Sequence, residues 1–214
     1  MNKVETAAKI AEFLLQIKAV KLSPSEPFTW ASGWRSPIYC DNRVSLSHPF
    51  ARTFVKESLA ALSKKHYPDA DAIVGVATAG IAPGALVADL LGLPFGYVRP
   101  EPKKHGMGKR LEGDIAIGSK VVVLEDLVST GKSSLASIEA LREEGCEVLG
   151  LIAVFSYGFE QAELNFSNAN CPFQVLCDYE TLIATAIKTG DVQLEQLETL
   201  SAWRQSPSTW RQEV

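Results

Sequence analysis

The stretch Lys120–Ser134, KVVVLEDLVSTGKSS, decides how the rest of the chain is read. Gly118-Ser119-Lys120 reads as a turn, and Val121–Leu124 as a short apolar, β-branched run of the kind that a strand buried on both faces requires. Two adjacent carboxylates, Glu125 and Asp126, follow at its C-terminal end, then Leu127, Val128 and the small polar cluster Ser129-Thr130-Gly131-Lys132-Ser133-Ser134. An amphipathic helix carrying Leu135, Ile138 and Leu141 comes next. The order is strand, acidic pair, anion loop, helix.

A loop of small residues lets successive backbone N–H groups converge, and the positive end of the following helix adds to them, so a dianionic phosphate suits that place. Two carboxylates beside it would repel the phosphate, so they should face sugar hydroxyls, a cation or a developing positive charge. A phosphorylated sugar with a cationic transition state meets both demands. The plainer alternative is a strand-to-helix turn with Ser or Thr as N-cap and the acids at a solvated strand end. A nucleotide P-loop is excluded, because the glycine it requires five residues before Gly131-Lys132-Ser133 is Asp126. What remains resembles the signature of the type I phosphoribosyltransferases: an apolar strand, two acids and a short Thr-Gly loop over Val122–Ser134.

The 214 residues suit one α/β domain with an appendage, and 46% hydrophobic with 21% charged residues is ordinary globular composition. No apolar run reaches membrane-spanning length, and the first residues, MNKVETAAKIAEF, carry charges where a signal peptide is apolar, so a cytoplasmic protein is expected. Cys40, Cys146, Cys171 and Cys177 show no C-x-x-C spacing and the chain has only three histidines, so reduced packing cysteines are expected and no protein-built metal site. A net charge of −4 argues against nucleic acid as a partner. Any anionic ligand must be met by a local cluster of cations.

Before the core, Val4–Lys18 reads as a covering helix with Ala7, Ile10, Ala11, Leu14 and Ile17 on one face, and Ser23–Pro27 as an irregular connection. The run Phe28–Arg43, FTWASGWRSPIYCDNR, reads as a small strand-turn-strand lid in which a planar ring could stack on Tyr39 while Arg35 or Arg43 answers an anion. It resembles the hood of the orotate phosphoribosyltransferases, whose F-T-x-x-S-G-x-x-S-P segment covers the pyrimidine; it departs at Ala31, where many members carry lysine. Ser47-His48-Pro49 marks the start of a helix over Phe50–Lys65 with Phe54, Leu59 and Leu62 inward.

A strand at Ala72–Val76 leads through Ala77–Gly80 into a helix ending near Leu91. Gly75-x-Ala77-x-x-Gly80 is a weakened dinucleotide fingerprint, which keeps a Rossmann-type dehydrogenase as a competing reading. By the family resemblance the same loop would hold the leaving pyrophosphate on backbone amides, with Ala79 where relatives often have lysine. A strand at Pro94–Val98 opens into Arg99–Asp114, whose prolines, glycines and cations are expected to form an exposed loop that closes over a polyphosphate. It resembles the family's R-K-x-x-K-x-H-G catalytic loop at Arg99, Lys103, His105 and Gly106, whereas Pro100 replaces a lysine. A buried strand over Cys146–Ser156, a short helix through Phe166, an edge strand at Phe173–Leu176, a helix capped by Asp178 or Thr181 and ending at Gly190, and a last helix over Val192–Trp203 complete the chain.

The fold expected is α/β, a doubly wound, mainly parallel sheet like that of the type I phosphoribosyltransferases. A helix and hood occupy residues 1–45, the core 46–190, and a C-terminal helix and tail 191–214. The resemblance implies transfer of ribose 5-phosphate from 5-phosphoribosyl 1-diphosphate (PRPP) to orotate, with magnesium as cofactor. In the family the basic loop reaches across a two-fold axis, which implies a homodimer. It further implies that Lys103 and Asp126 are catalytic; that Arg99, Lys103, His105, Glu125, Asp126, Leu127, Val128, Ser129, Thr130, Gly131, Lys132 and Ser133 bind PRPP; and that Ser129 and Tyr39 meet orotate. Transfer to another base, or a non-catalytic sensor of the sugar diphosphate that has lost cations at Ala31, Ala79 and Pro100, are the alternatives to be distinguished.

Overall fold

Asn2 opens the first helix by accepting the Glu5 N–H at 2.9 Å while the Glu5 carboxylate accepts the Asn2 N–H at 3.0 Å, a reciprocal capping box. Helix α1 (Lys3–Gln16) then turns Ala7, Ile10, Ala11 and Leu14 into the core. Full burial of a side chain such as Ile10 or Leu14 contributes about 1.5–3 kcal/mol. The computed structural model describes residues 1–30, 32–101 and 109–211, so the expectations at Ala31, Lys103, His105 and Gly106 lie outside the described residues.

The hood consists of β1 (Val20–Leu22), β2 (Phe28–Thr29), β3 (Arg35–Ser36) and β4 (Ile38–Cys40). β2 and β3 form the expected antiparallel pair, and β4 folds back on β1, a second ribbon of which the proline-bearing stretch Ser23–Pro27 gives no sign. A 3-10 turn over Asn42–Ser47 leads into α2 (Pro49–His66), with Pro at its first position. The buried face of α2 is Ala51, Val55, Leu59, Ala60 and Ser63; Phe54 and Leu62, expected inward, sit half-buried at the margin of the core.

The core follows as β5 (Ala72–Val76), α3 (Ile81–Leu91), β6 (Phe95–Val98), β7 (Leu111–Glu112), β8 (Lys120–Val128), α4 (Lys132–Glu143), β9 (Glu147–Ser156), α5 (Glu160–Asn168), β10 (Phe173–Asp178) and α6 (Tyr179–Thr189). A 3-10 turn at Leu194–Gln196 precedes α7 (Leu197–Gln205), so the last helix expected over Val192–Trp203 is in two pieces and starts later. The six-stranded sheet runs β10-β9-β8-β5-β6-β7, parallel throughout except for β7. β8 lies inside the sheet and alternates between two layers: Val122 and Leu124 pack on one face with α1, α2 and α6, and Val121 and Val123 on the other with α4. That double burial explains its unbroken apolar run.

Two differences bear on the site. The strand β8 does not stop at Leu124 but continues in register with β9 to Val128↔Ser156, so the acids stand within the strand rather than after it. The segment after Val98 is not loop throughout: the Arg99 N–H donates to the Arg110 carbonyl at 3.0 Å and β7 pairs back on β6, so its return limb is anchored. Trp30 of the hood packs edge-on against Trp203 of α7 at 5.6 Å and at a tilt against Tyr157 at 5.1 Å, joining hood and C-terminal helix in one aromatic cluster. All four cysteines are free thiols, three of them buried, as their lack of paired spacing suggested. No helix among the described residues is long and apolar enough to cross a membrane.

Candidate active site

The loop after β8 reaches α4 through Gly131, whose φ of +78° is a conformation that side chains disfavour. A Cβ there would lie 2.6 Å from Cε2 of the buried Phe166 ring, so glycine is required on both counts. Gly131 holds the cap position and, among the described residues, no side chain caps α4. The alternative in which a Ser or Thr caps this helix is thereby overturned. The first N–H groups of α4, and the positive end of its dipole, are left facing outward for an anion. From α5, Asn165 Nδ2 donates to the Thr130 carbonyl at 2.9 Å and pins the loop from behind.

The two acids have unlike surroundings. Glu125 is buried; its Oε2 accepts from Ser134 Oγ at 3.2 Å and its Oε1 from the Asp126 N–H at 3.1 Å. Burial, and after it the neighbouring Asp126 charge, pushes its carboxyl above the ordinary range. Asp126 is half-buried and its carboxyl is also raised by burial, with a side-chain hydrogen bond to Glu125 and, after it, the Arg43 guanidinium pulling the other way. Arg43 is itself clasped by Asp41, through Nε at 2.7 Å and Nη2 at 2.9 Å, and this contact holds the Asp41 carboxyl below its usual value. Asp126 is therefore the acid left to meet a ligand, and Glu125 the one that braces it and the start of α4. The two carboxyls are themselves joined by a side-chain hydrogen bond, and of the pair expected to grip hydroxyls together Asp126 is the less buried.

Opposite the anion loop, Ala77–Gly80 turns out of β5 with a cis Ala77–Thr78 peptide. A Cβ on Gly75 would lie 2.6 Å from the Gly80 carbonyl oxygen, and one on Gly80 would collide with the Leu124 carbonyl. These glycines exist so that the loop can fold down on its own strand and on β8. Their spacing is thus accounted for by packing, which removes the ground for a dinucleotide fingerprint. Between the two loops lies a cavity of about 680 Å³, lined by Val76–Ala79, Glu125, Asp126, Leu127, Ser129–Ser134 and Ala136. An opening bounded by uncommitted helix N–H groups on one side and a carboxylate on the other can take a ligand that is anionic at one end and rich in hydroxyls in the middle.

The structure thus brings together Glu125, Asp126, Leu127, Ser129, Thr130, Gly131, Lys132 and Ser133. Val128 does not join them: its side chain is fully buried and its carbonyl accepts from Tyr157 N–H at 3.2 Å. Tyr39 is exposed on β4 beside Phe28 and does not line this cavity. Arg99 sits at the base of the β6–β7 hairpin, its guanidinium 3.4 Å from Glu112. Lys103 and His105 lie outside the described residues. Sequence reasoning missed Asn165, Ser134 and Asn42, the last donating to the Asp126 carbonyl at 2.7 Å. A polar residue inside an amphipathic helix or turn carries no local sign of a partner far away in sequence.

Comparison with known proteins gives the same assignment. Residues 54–174 match the phosphoribosyl transferase domain family. The orotate phosphoribosyltransferase of Porphyromonas gingivalis is 54% identical over 201 residues, covering 94% of this chain and 96% of its own. That of Cytophaga hutchinsonii is 52% identical over 203 residues, covering 95% and 97%. Among solved structures, the orotate phosphoribosyltransferase from Aeropyrum pernix aligns with a TM-score of 0.74 at 31% identity, over 85% of this chain and 98% of that one. With strand, acids, uncapped helix and folded-down glycine loop all in place around one cavity, the chain belongs to the orotate phosphoribosyltransferases, a branch of the phosphoribosyltransferase domain family.

Proposed function

We propose that the protein transfers the 5-phosphoribosyl group of PRPP to orotate, giving orotidine 5'-monophosphate and pyrophosphate, a step of de novo UMP synthesis. The observation that carries this reading is the pairing of an uncapped α4 N-terminus with Asp126 across one cavity. The C1–O bond to the diphosphate breaks with its electron pair on the leaving group, a C1–N bond forms to the pyrimidine, and the ring N–H proton is released. C1 passes through an oxocarbenium-like state, so the barrier falls through charge stabilisation and alignment, without a protein nucleophile.

In this reading the amides and hydroxyls of Ser129–Ser133 hold the 5-phosphate and Asp126 accepts from the ribose hydroxyls. The Ala77–Ala79 backbone receives the pyrophosphate, which Arg99, Lys103 and His105 neutralise, with Lys103 contributing most. Ser129 faces the pyrimidine. Among the described residues no cluster of three or more His, Cys, Asp or Glu could cage a metal. With few carboxylates at the cavity, Glu125 and Asp126, the site suits a hard cation that would take most of its oxygens from the diphosphate and the sugar, as magnesium does. When bound, that cation supplies charge neutralisation at the diphosphate. A homodimer is supported by α3, which is apolar apart from Asp89 near its end yet leaves Leu90 exposed and Ile81, Ala82, Ala85 and Leu86 only half-buried. The cytoplasm is the compartment proposed, since PRPP is too highly charged to cross a membrane unaided.

The test is orotate consumption, followed by its ultraviolet absorbance, with PRPP and magnesium present. Turnover that needs all three supports the reading. Turnover with uracil or a purine instead moves the substrate, and binding of PRPP without turnover by folded protein makes it a sensor.

A further inference from the structure

We infer that Asn42, in the turn that joins the hood to α2, is the positioning residue that sets Asp126 against the sugar; this rests on the function proposed above. The pairing of β5 with β8 ends at Gly75↔Leu124, so the Asp126 peptide lies past the end of that neighbour. Its N–H donates to Glu125 Oε1 at 3.1 Å and its carbonyl accepts from Asn42 Nδ2 at 2.7 Å, so side chains act on both of its polar groups. Asn42 is one of the few buried polar side chains, 4% exposed.

Its own orientation is dictated from the other side. The Cys40 thiol, which burial keeps protonated, donates to Asn42 Oδ1 at 3.4 Å, and the Asn42 carbonyl accepts from Ser45 Oγ at 2.6 Å. The amide can then turn only its NH₂ toward Asp126. The residues on either side, Asp41 and Arg43, form the bidentate pair whose guanidinium bears on the Asp126 carboxyl. One three-residue segment therefore holds the backbone of Asp126 and places a cation near its side chain. A misplacement of about 1 Å at a reacting centre can cost on the order of a hundredfold in rate.

The test is a kinetic double-mutant cycle on the full-length enzyme with orotate, PRPP and magnesium, using Asn42→Ala, Asp126→Ala and the double variant. Asn42→Asp accompanies them, because it keeps the shape and the acceptor for Cys40 but cannot donate. If Asn42→Ala does not fold, Asn42→Ser takes its place in the cycle. The expected result is a fall in kcat of about tenfold or more for Asn42→Asp and Asn42→Ala, with KM for PRPP within about threefold of the parent. In the Asp126→Ala background, removing Asn42 should lower kcat by less than about twofold, since the residue acts through one already lost. An equal loss of kcat in both backgrounds, or a parental kcat in Asn42→Asp, overturns the inference. Parental kcat in Asp126→Ala alone would instead sink the role given to Asp126 in the proposed function.

Discussion

Replacing Gly131 by Ala strikes the phosphate loop in two ways whose sizes follow from the structure. At φ +78° an alanine takes on the left-handed penalty of about 1–2 kcal/mol. Its Cβ would also lie 2.6 Å from Cε2 and 3.1 Å from Cδ2 of Phe166, a ring that is 1% exposed and packed 4.4 Å from Phe173, so it has nowhere to retreat. Overpacking of that kind costs about 1–3 kcal/mol. The sum, roughly 2–5 kcal/mol, corresponds to a fall in Tm of about 5–15 °C for a chain of this size. Because the strain is relieved most easily by shifting the loop, KM for PRPP should rise about tenfold or more, tenfold being ~1.4 kcal/mol of lost binding.

Gly190→Ala is the matched control. Its φ is +79°, it closes α6 away from the site, and nothing lies within 4 Å of the added carbon. That variant should lose only the backbone part, about 1–2 kcal/mol, and keep parental kinetics. Thermal melts of both variants and initial rates against PRPP concentration are the assays. If the two variants melt within about 2 °C of each other, or if Gly131→Ala retains the parental KM, the reasoning about the loop is wrong.

Glu125→Gln tests the buried acid. Burial raises the folded-state pKa of Glu125, so its favourable contribution is complete below the unfolded value of about 4.3 and is lost as pH rises through the folded value. The difference in Tm between Glu125→Gln and the parent should therefore widen by more than about 3 °C from pH 5 to pH 8, whereas a constant difference would mean the carboxyl ionises normally. Asn165→Leu leaves the Thr130 carbonyl without its amide, at about 0.5–1.5 kcal/mol, and should raise KM for PRPP about three- to tenfold with kcat little changed; an unaltered KM in steady-state kinetics would free the loop from that residue. Among alanine substitutions in the basic segment, Lys103→Ala should show the largest fall in kcat, and a larger loss at Arg99 would reassign the principal cation.

Much of the architecture could be read from the chain because its signals are local. β5 and α3 end where glycines and the switch in hydrophobic period place them, at Val76 and Leu91, and the αL glycine at 190 closes its helix as expected, whereas α4 starts already at Lys132 on an αL Gly131, inside the stretch read as loop. The reach of β8 was not legible: strand pairing beyond Leu124 depends on β9 offering partners up to Ser156, and nothing in Glu125-Asp126 advertises that. β7 is only two residues long and is held by an antiparallel partner and by Glu144, which accepts from the N–H groups of Arg110 and Leu111 at 3.0 and 3.1 Å. The acids and the Thr-Gly loop stood out because their chemistry is unusual at that place in a strand-helix unit. Asn42 and Asn165 did not, because each matters through one carbonyl, 84 and 35 residues away. Val128 was included by adjacency alone, and strand alternation took its side chain into the core.

The claim on which all else depends is that a sugar monophosphate docks on the amides leading into α4 while Asp126 grips the ribose. A crystal structure of the protein with PRPP and magnesium tests it most directly. The account requires the 5-phosphate oxygens within about 3 Å of the backbone N–H groups of Thr130 to Ser133, and a ribose hydroxyl donating to the Asp126 carboxylate. A diphosphate seated in that loop instead, or a ribose turned away from Asp126, would contradict it.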